Sequence, residues 1–218
     1  MIEFRRSPLW LHLRGRLHEN LIYLLTSNLE GCQTVLDLGC GSQPYVGECP
    51  NIEKVIGIDA SYEACFKARN AKKYSSVAQS LLPNLPFQSR SVDAVTLLQV
   101  VEHLSKDRAS FLIEEAEKMA RRRVIITTPN GFVEQEAYGD NSFQEHLSGW
   151  TVEDFEERGY QVCGLEGPKI LRRNGTAECL PPQRMLSVLS SFGMFEGYLK
   201  SRPQHAFQLM AVKHLDQV

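Results

Sequence analysis

Short, nearly continuous apolar stretches alternate along the chain with amphipathic stretches of helical period. Seven of the apolar stretches are short enough for strands: 34–38, 54–59, 75–78, 92–99, 123–128, 160–165 and 206–213. Strands of a parallel sheet have this composition because helices cover both of their faces. The alternation therefore predicts an α/β fold with helices on both sides of a mostly parallel sheet.

Three of the intervening stretches have the spacing and end signals of helices. The first begins after Ser61, and the third begins after Thr151 with Asp154 three residues later, as in a capping box. The second predicts one apolar helix face formed by Phe111, Leu112, Ala116 and Met119. These signals place helices between the strands, as the α/β pattern requires.

Two segments lie outside this alternation. Residues 1–30 have the pattern of an amphipathic helix, and residues 166–204 form a long apolar insertion before the last strand. We predict a single domain over 1–218, made of a helical cap (1–30), an α/β core (31–165), the insertion (166–204) and the last strand (205–218). Long connections in compact domains tend to be functional, so the insertion is predicted to line a substrate pocket, with extra packing as the alternative.

Composition excludes several function classes. The chain has 218 residues, 43% of them hydrophobic and 23% charged, and a net charge of −2, which gives no basic field for nucleic acid or anionic membrane. No stretch has the pattern of a signal peptide or a membrane span. The six cysteines form no C-x-x-C pair, and no His/Cys/Asp cluster has metal-ligand spacing. We therefore expect a cytoplasmic protein without a metal site.

The stretch "VLDLGCGSQPY" (35–45) contains the strongest local signal, a glycine turn directly after the first strand. Gly39 and Gly41 allow a positive φ and let a ligand approach the main chain beyond the sheet edge. Pro44 stands where a dinucleotide-binding loop has its third glycine, and it lacks an N–H donor. Asp37 would repel a diphosphate but attract a cation. The turn therefore predicts an adenosine ligand that carries positive charge.

Asp59 ends the second strand about 20 residues after Gly39, the spacing at which an acid reaches the ribose of a bound adenosine. A carboxylate suits this role because it accepts hydrogen bonds from both vicinal hydroxyls. The alternative is purely structural: the glycines form only a turn, and Asp59 caps the helix that follows Ser61.

Five stretches in consistent order resemble the motifs of the class I S-adenosylmethionine (SAM)-dependent methyltransferases, closest to the small-molecule group whose fourth strand ends in Glu-His-Leu. They are "VLDLGCG", "VIGIDAS", "LPFQSRSVDAVTLLQVVEHL", "VIITTPNG" and "HLSGWTVEDFEERGYQV". The resemblance covers about residues 34–165. It implies a Rossmann-like fold with a seven-stranded, mostly parallel sheet and an antiparallel last strand. It also implies SAM as cofactor, with S-adenosylhomocysteine (SAH) as product.

The resemblance also implies which residues bind the cofactor. Asp37, Gly39 and Gly41 match the turn that holds the methionine end, Asp59 matches the ribose acid, and Ala60 follows it at the border of the adenine.

Other implied contacts lie on the neighbouring strands. Gln99 and Val100 match the main chain that lines the methionyl and sulfonium groups. Relatives place an aspartate against the adenine, and "AQSLLPNLPF" lacks it, so Gln79 or Ser80 is expected to substitute. Gln43 stands where many relatives have a third glycine, and the Gln-Pro-Tyr that follows indicates a shortened first helix.

Methyl transfer from SAM is an in-line displacement, and it needs a general base only when the nucleophile arrives protonated. His146 is the first candidate for this base and His103 the second, with Glu102 and Glu145 as possible orienting partners. The alternative is that each histidine is a hydrogen-bonded surface or cap residue. Five aromatic residues are candidates for an acceptor wall, with core packing as the commoner alternative for each: Tyr138, Trp150, Phe192, Phe195 and Tyr198.

The sequence therefore predicts methyl transfer from SAM to a small-molecule acceptor, on oxygen in the first place and nitrogen in the second. Alternatives are a SAM-binding regulatory or scaffold protein without catalysis, a protein or peptide methyltransferase, and an oxidoreductase on the same sheet, which Pro44 and Asp37 disfavour. No nucleic-acid partner is expected, because the Asn-Pro-Pro-Tyr type motif of base methylation is absent. The protein is expected to be a monomer or a homodimer.

Overall fold

A seven-stranded sheet forms the centre of the fold in the computed structural model, which describes residues 21–83, 85–137, 142–171 and 196–215. The strands are β1 (Thr34–Leu38), β2 (Lys54–Asp59), β3 (Ser76–Gln79), β4 (Val92–Leu98), β5 (Ala120–Pro129), β6 (Gln161–Pro168) and β7 (Ala206–His214). Their order across the sheet is β3-β2-β1-β4-β5-β7-β6. Neighbouring strands from β3 to β5 are parallel, and β7 runs antiparallel to both β5 and β6. The predicted fold and all seven predicted strands are confirmed.

Helices cover both faces of the sheet. They are α1 (21–28), α2 (Tyr62–Ala71), α3 (Lys106–Met119), α4 (Val152–Glu156) and α5 (Glu196–Ser201). The predicted caps are confirmed, because the Ser61 hydroxyl accepts a hydrogen bond from the Ala64 N–H at 3.3 Å and Thr151 forms a capping box with Asp154. The predicted helix over 1–30 is described only from residue 21.

The predicted apolar face of α3 is partly wrong. Leu112, Ala116 and Met119 are buried as expected, but Phe111 is 46% exposed. The buried stripe begins at Ala109 and continues at the third and fourth positions after it, the period of a helix face that packs on a sheet. Phe111 lies two residues from Ala109, which places it on the opposite side.

Alternation along β1 divides the core into two layers. Leu36 and Leu38 pack with α3 on one face, while Val35 packs on the other face with Leu25 of α1. Asp37 points to the same side as Val35, so this acidic side chain enters a buried layer. The strand period alone therefore explains why a carboxyl group lies inside the fold.

The first helix of the α/β pattern is short, as the sequence predicts. A three-residue 3-10 turn, Val46–Glu48, follows the glycine turn. In the described part of the chain, no helix is both long and apolar enough to cross a bilayer.

Little of the predicted acceptor wall falls within the described residues. Residues 172–195 of the insertion lie outside them, as do Tyr138, Phe192 and Phe195. Trp150 is fully buried against Phe155, so it belongs to the core, the alternative to a place in the wall. Tyr198 of α5 is 42% exposed.

Candidate active site

The glycine turn after β1 has the backbone conformation that the sequence predicts. Gly39 and Gly41 have φ values of +73° and +58°, a region that side chains other than glycine rarely enter. A Cβ atom at Gly39 would overlap Cγ2 of Val100, whereas a Cβ at Gly41 would meet no atom within 4 Å. Gly39 is therefore fixed by packing against the end of β4, and the α-carbon of Gly41 faces open space.

Asp59 connects this turn to the second strand and to α2. Its Oδ2 accepts a hydrogen bond from the Gly41 N–H at 2.9 Å, and its Oδ1 accepts one from the Ser61 N–H at 2.8 Å. A carboxylate oxygen has more than one acceptor position, so both oxygens keep capacity for ligand hydroxyls. The structural reading of Asp59 and the predicted ribose contact are therefore compatible.

Asp37 lies buried beneath the turn, 2% exposed. Its Oδ2 accepts a hydrogen bond from the Tyr74 hydroxyl and its Oδ1 accepts one from the Thr96 hydroxyl, both at 2.7 Å. Burial raises the pKa of Asp37 to about 6, against the opposing effect of the two hydroxyl donors. The sequence reasoning missed both donors, although Thr96 is the direct neighbour of Asp37 in the parallel pairing of β1 with β4.

The surroundings of the turn suit a cationic ligand. Neither Asp37 nor Asp59 forms an ion pair with a lysine, arginine or histidine of the described residues. Within the described ranges their hydrogen bonds come from hydroxyl and main-chain N–H groups, and none of these donors carries a positive charge. A ligand with a sulfonium or ammonium group would supply the missing positive charge.

The end of β4 is held in an unusual conformation. Gln99 has a φ of +58°, which is uncommon for a residue with a side chain. Its amide donates to the Thr127 hydroxyl at 3.2 Å and accepts from the Gln208 amide at 3.3 Å. These contacts fix the main chain at Gln99 and Val100 directly beside Gly39, where the sequence predicts the methionyl end of the ligand.

The predicted adenine contacts lie at the outer edge of the same region. Gln79 pairs with Asp59 in the register of β2 with β3, and its amide donates to the Ala60 carbonyl at 2.9 Å. The Ser80 N–H donates to the Asp59 carbonyl at 3.0 Å. The structure thus brings Gln79 and Ser80 next to Ala60, as the sequence assignment requires.

His103 and His146 lie side by side at the same edge of the sheet, with ring centroids 4.9 Å apart. Nδ1 of His103 lies 3.0 Å from the Glu145 carbonyl oxygen, and Nδ1 of His146 lies 2.6 Å from the Val133 carbonyl oxygen. A carbonyl only accepts, so each Nδ1 carries the hydrogen and each neutral ring has a free lone pair on Nε2. Burial lowers the pKa of both histidines.

The predicted orienting partners are wrong in one respect. Main-chain carbonyls, not the carboxylates of Glu102 and Glu145, hold the two imidazole rings. The Glu145 side chain is exposed, and Glu102 turns inward to the Thr128 hydroxyl. Sequence reasoning had no signal for carbonyl partners, because they depend on loop conformation.

Glu102 is a buried acid, 2% exposed, between the histidines and the core. Its Oε2 accepts a hydrogen bond from the Thr128 hydroxyl at 3.1 Å, while its Oε1 is buried and has no partner among the described residues. Burial raises the pKa of Glu102 to about 8. Its main-chain carbonyl accepts from the N–H groups of Leu147 and Ser148, which fixes the loop that carries His146.

Glu102, His103 and His146 together place one carboxylate oxygen and two imidazole nitrogens within 4.8 Å of one another. Sequence spacing does not predict this cluster, because His146 is far from Glu102 and His103 along the chain. Two of the donors are adjacent at the end of β4, and the third comes from the loop after β5.

Comparison with known proteins relates the first part of the α/β core to a described family. Residues 36–127, from β1 into β5, match the sequence model of a family described as a methyltransferase domain. This part of the chain therefore matches a methyltransferase domain. The match supports SAM as the cofactor that the sequence motifs predict. A search of the curated proteins found no matching sequence.

Solved structures share the fold of this chain over nearly its whole length. The PH0226 protein of Pyrococcus horikoshii is 14% identical, with a TM-score of 0.60 and coverage of 99% of each chain. A SAM-dependent methyltransferase of Archaeoglobus fulgidus is 19% identical, with a TM-score of 0.56 and coverage of 91% of this chain and 94% of the other. Magnesium protoporphyrin IX methyltransferase of Synechocystis with bound SAH is 14% identical, with a TM-score of 0.54 and coverage of 96% and 88%.

Proposed function

We propose that this methyltransferase transfers the SAM methyl group to an oxygen atom of a small molecule, with nitrogen as the next candidate. The observation that carries this proposal is the pair His103 and His146, whose Nε2 lone pairs are free at the edge of the sheet that also carries the glycine turn. A hydroxyl group is protonated at neutral pH and has to lose its proton to become an effective nucleophile. Two uncharged imidazoles at this edge suit that task.

The cofactor is proposed to lie across the carboxyl ends of β1, β2 and β4. Gly39 and Gly41 would hold its methionine end, with the charge of Asp37 beneath them, and Asp59 would accept from the ribose hydroxyls. The open space at Gly41 supports this placement, as does the lack of an ion pair between these carboxylates and any described lysine, arginine or histidine. The remaining proposed contacts are Ala60, Gln79 and Ser80 at the adenine, and Gln99 and Val100 at the sulfonium.

Catalysis would then depend mainly on positioning. SAM supplies a methyl group on a positively charged sulfur, and attack by the acceptor oxygen at that carbon breaks the carbon–sulfur bond to give SAH. His146 is proposed to accept the hydroxyl proton on Nε2 and to release it to solvent, with His103 as the second candidate. The main chain at Gln99 and Val100, which the contacts of the Gln99 side chain fix, would help to hold the cofactor in position.

A small acceptor is favoured over a nucleic acid by charge. The net charge of −2 provides no basic field for a nucleic acid. The apolar insertion 166–204 remains the predicted acceptor wall, of which residues 166–171 and 196–204 are described.

Two measurements test the proposal. Calorimetry is expected to show binding of SAM and SAH with dissociation constants on the order of micromolar, and no binding of NAD. Incubation with SAM and pools of hydroxylated, carboxylated and amino-bearing small molecules, followed by mass spectrometry, is expected to give an acceptor that gains one methylene and is methylated on oxygen. Methylation of peptides alone would contradict the small-molecule assignment.

A further inference from the structure

We propose that Glu102, His103 and His146 bind a divalent transition-metal cation, which coordinates the acceptor oxygen; this use of the cation rests on the proposed function. The geometry supports a shared ligand, because one donor atom from each side chain lies within 4.8 Å of the other two. The three donors come from two loops that hydrogen bonds between main-chain atoms hold together at Glu102. The cluster is therefore built into the edge of the sheet.

The orientation of the two imidazoles is that of metal ligands. Metal-binding histidines usually donate one ring N–H to a carbonyl or carboxylate, which fixes the ring and leaves the other nitrogen for the metal. His103 and His146 both show this arrangement, with Nδ1 against the carbonyls of Glu145 and Val133. Both Nε2 lone pairs are therefore available to one cation.

Glu102 supplies an independent observation. Its Oε1 atom is buried and has no hydrogen-bond partner in the described part of the chain, in a side chain that is 2% exposed. An unpaired buried polar atom costs about 1–3 kcal/mol. Thr128 fixes the other carboxylate oxygen, so the unpaired oxygen has a defined position. A cation bound by the two histidines would satisfy it.

The donor set indicates the kind of metal. Two imidazole nitrogens and one carboxylate oxygen suit Zn²⁺, Co²⁺ or Fe²⁺, whereas Mg²⁺ and Ca²⁺ prefer oxygen ligands only. Three protein ligands also leave a coordination position open, as in catalytic zinc sites. This open position is the one assigned to the acceptor oxygen.

The cation has a defined part in methyl transfer. Coordination to the metal lowers the pKa of the acceptor hydroxyl, and its proton passes to water. The oxygen then uses a lone pair to attack the methyl carbon, and the electrons of the carbon–sulfur bond move to sulfur to form SAH. When the cation is bound, both imidazoles are metal ligands. The metal then activates the hydroxyl group, a task that falls to His146 as general base in the metal-free protein.

Cobalt binding to the full-length, chelator-treated protein tests the site without any acceptor. Co²⁺ is expected to bind one per chain, with visible absorption bands of a low-coordinate nitrogen and oxygen site. Glu102→Gln, His103→Ala and His146→Ala are each expected to weaken binding at least about tenfold. His214→Ala is the matched control, because His214 pairs with Arg123 at the opposite edge of the sheet, and its binding is expected to be unchanged.

The possible outcomes separate this inference from the proposed function. Absence of Co²⁺ binding, or equal binding in all four variants, would overturn the metal site, as would displacement of Co²⁺ by a tenfold excess of Mg²⁺. Calorimetry with SAM on the metal-free protein tests the cofactor assignment separately and also reports whether each variant is folded. If Glu102→Gln fails to bind SAM, His146→Ala, in a half-buried loop position, still decides the question.

Discussion

Oδ2 of Asp59 accepts a hydrogen bond from the main-chain N–H of Gly41 at 2.9 Å. The end of the second strand therefore supports the turn that follows the first strand. Because its other oxygen accepts from the Ser61 N–H, Asp59 also fixes the start of α2. One carboxylate thus links the glycine turn to the start of α2.

Asp59→Ala is expected to weaken SAM binding at least about tenfold, because it removes the ribose acceptor and the support of Gly41 together. Asp59→Asn keeps one acceptor oxygen and should lie between this variant and the wild type. Calorimetry with SAM measures both. Glu63→Ala, an exposed acid on α2, is the control and should bind normally. An unchanged affinity in Asp59→Ala would contradict the ribose assignment.

Alanine at the two turn glycines should have different effects. Gly39→Ala forces a positive φ on alanine and overlaps Val100, so it should lower the free energy of unfolding by roughly 1–3 kcal/mol. Gly41→Ala meets open space, so only its positive φ should cost stability, about 1 kcal/mol.

The two glycine variants also distinguish a loss of stability from an obstruction of ligand binding. Gly41→Ala should weaken SAM binding more than its small loss of stability explains, since the new methyl group occupies the proposed ligand side. Chemical denaturation and SAM calorimetry on both variants provide the comparison. Normal SAM binding by Gly41→Ala would show that no ligand approaches the turn there.

SAM affinity should depend on the protonation of Asp37. Burial raises the pKa of Asp37 from 3.8 to about 6 in the folded protein, so the carboxylate is charged above that pH and neutral below it. A cationic ligand favours the charged form, so SAM affinity should be constant above about pH 6 and fall by at most about tenfold per pH unit below it. Calorimetry between pH 5 and 8 measures this. Asp37→Asn should bind SAM weakly and with a flatter pH profile.

Stability should show the opposite trend. Because the pKa of Asp37 is raised by folding, the folded state binds more protons than the unfolded state between about pH 4 and 6. The contribution of Asp37 to stability is therefore largest below this window and is lost as the pH rises through about 6. Asp37→Asn should remove this component from the pH dependence of unfolding. A contribution of Asp37 to the free energy of unfolding that increases with pH would contradict a buried carboxyl group with a raised pKa.

His146→Ala should lower the turnover of an identified acceptor by about a hundredfold, because the acceptor loses the group that helps remove its proton. SAM affinity should equal that of the wild type within experimental error, since His146 is not one of the proposed cofactor contacts. Steady-state kinetics and calorimetry measure the two quantities, with His214→Ala as the control. Normal turnover would remove His146 from the mechanism.

The strands and the turn could be predicted from the sequence because their signals are local. β1 and β2 have the bounds of their apolar runs, and the glycines adopt the positive φ that their type permits. The partners of Asp37 could not be predicted in this way. Tyr74 and Thr96 reach it through the loop before β3 and the register of β4, which are properties of the assembled sheet.

The contacts of His103 and His146 could not be predicted from the sequence either. Their positions after β4 and β5 predicted that they share an edge, but their ring contact and their carbonyl partners depend on loop conformation. The inward turn of Glu102 depends on Thr128 of the adjacent strand. Tertiary contacts of this kind leave no period or spacing in the sequence.

The links from the Glu102 carbonyl to Leu147 and Ser148 join main-chain atoms only, and the His146 N–H meets the Gln135 carbonyl in the same way. Such links do not depend on which side chains occupy the loop. Residues between β5 and His146 can therefore diverge during evolution without displacing the imidazole. New acceptor preferences can arise in this loop while the reacting centre keeps its alignment.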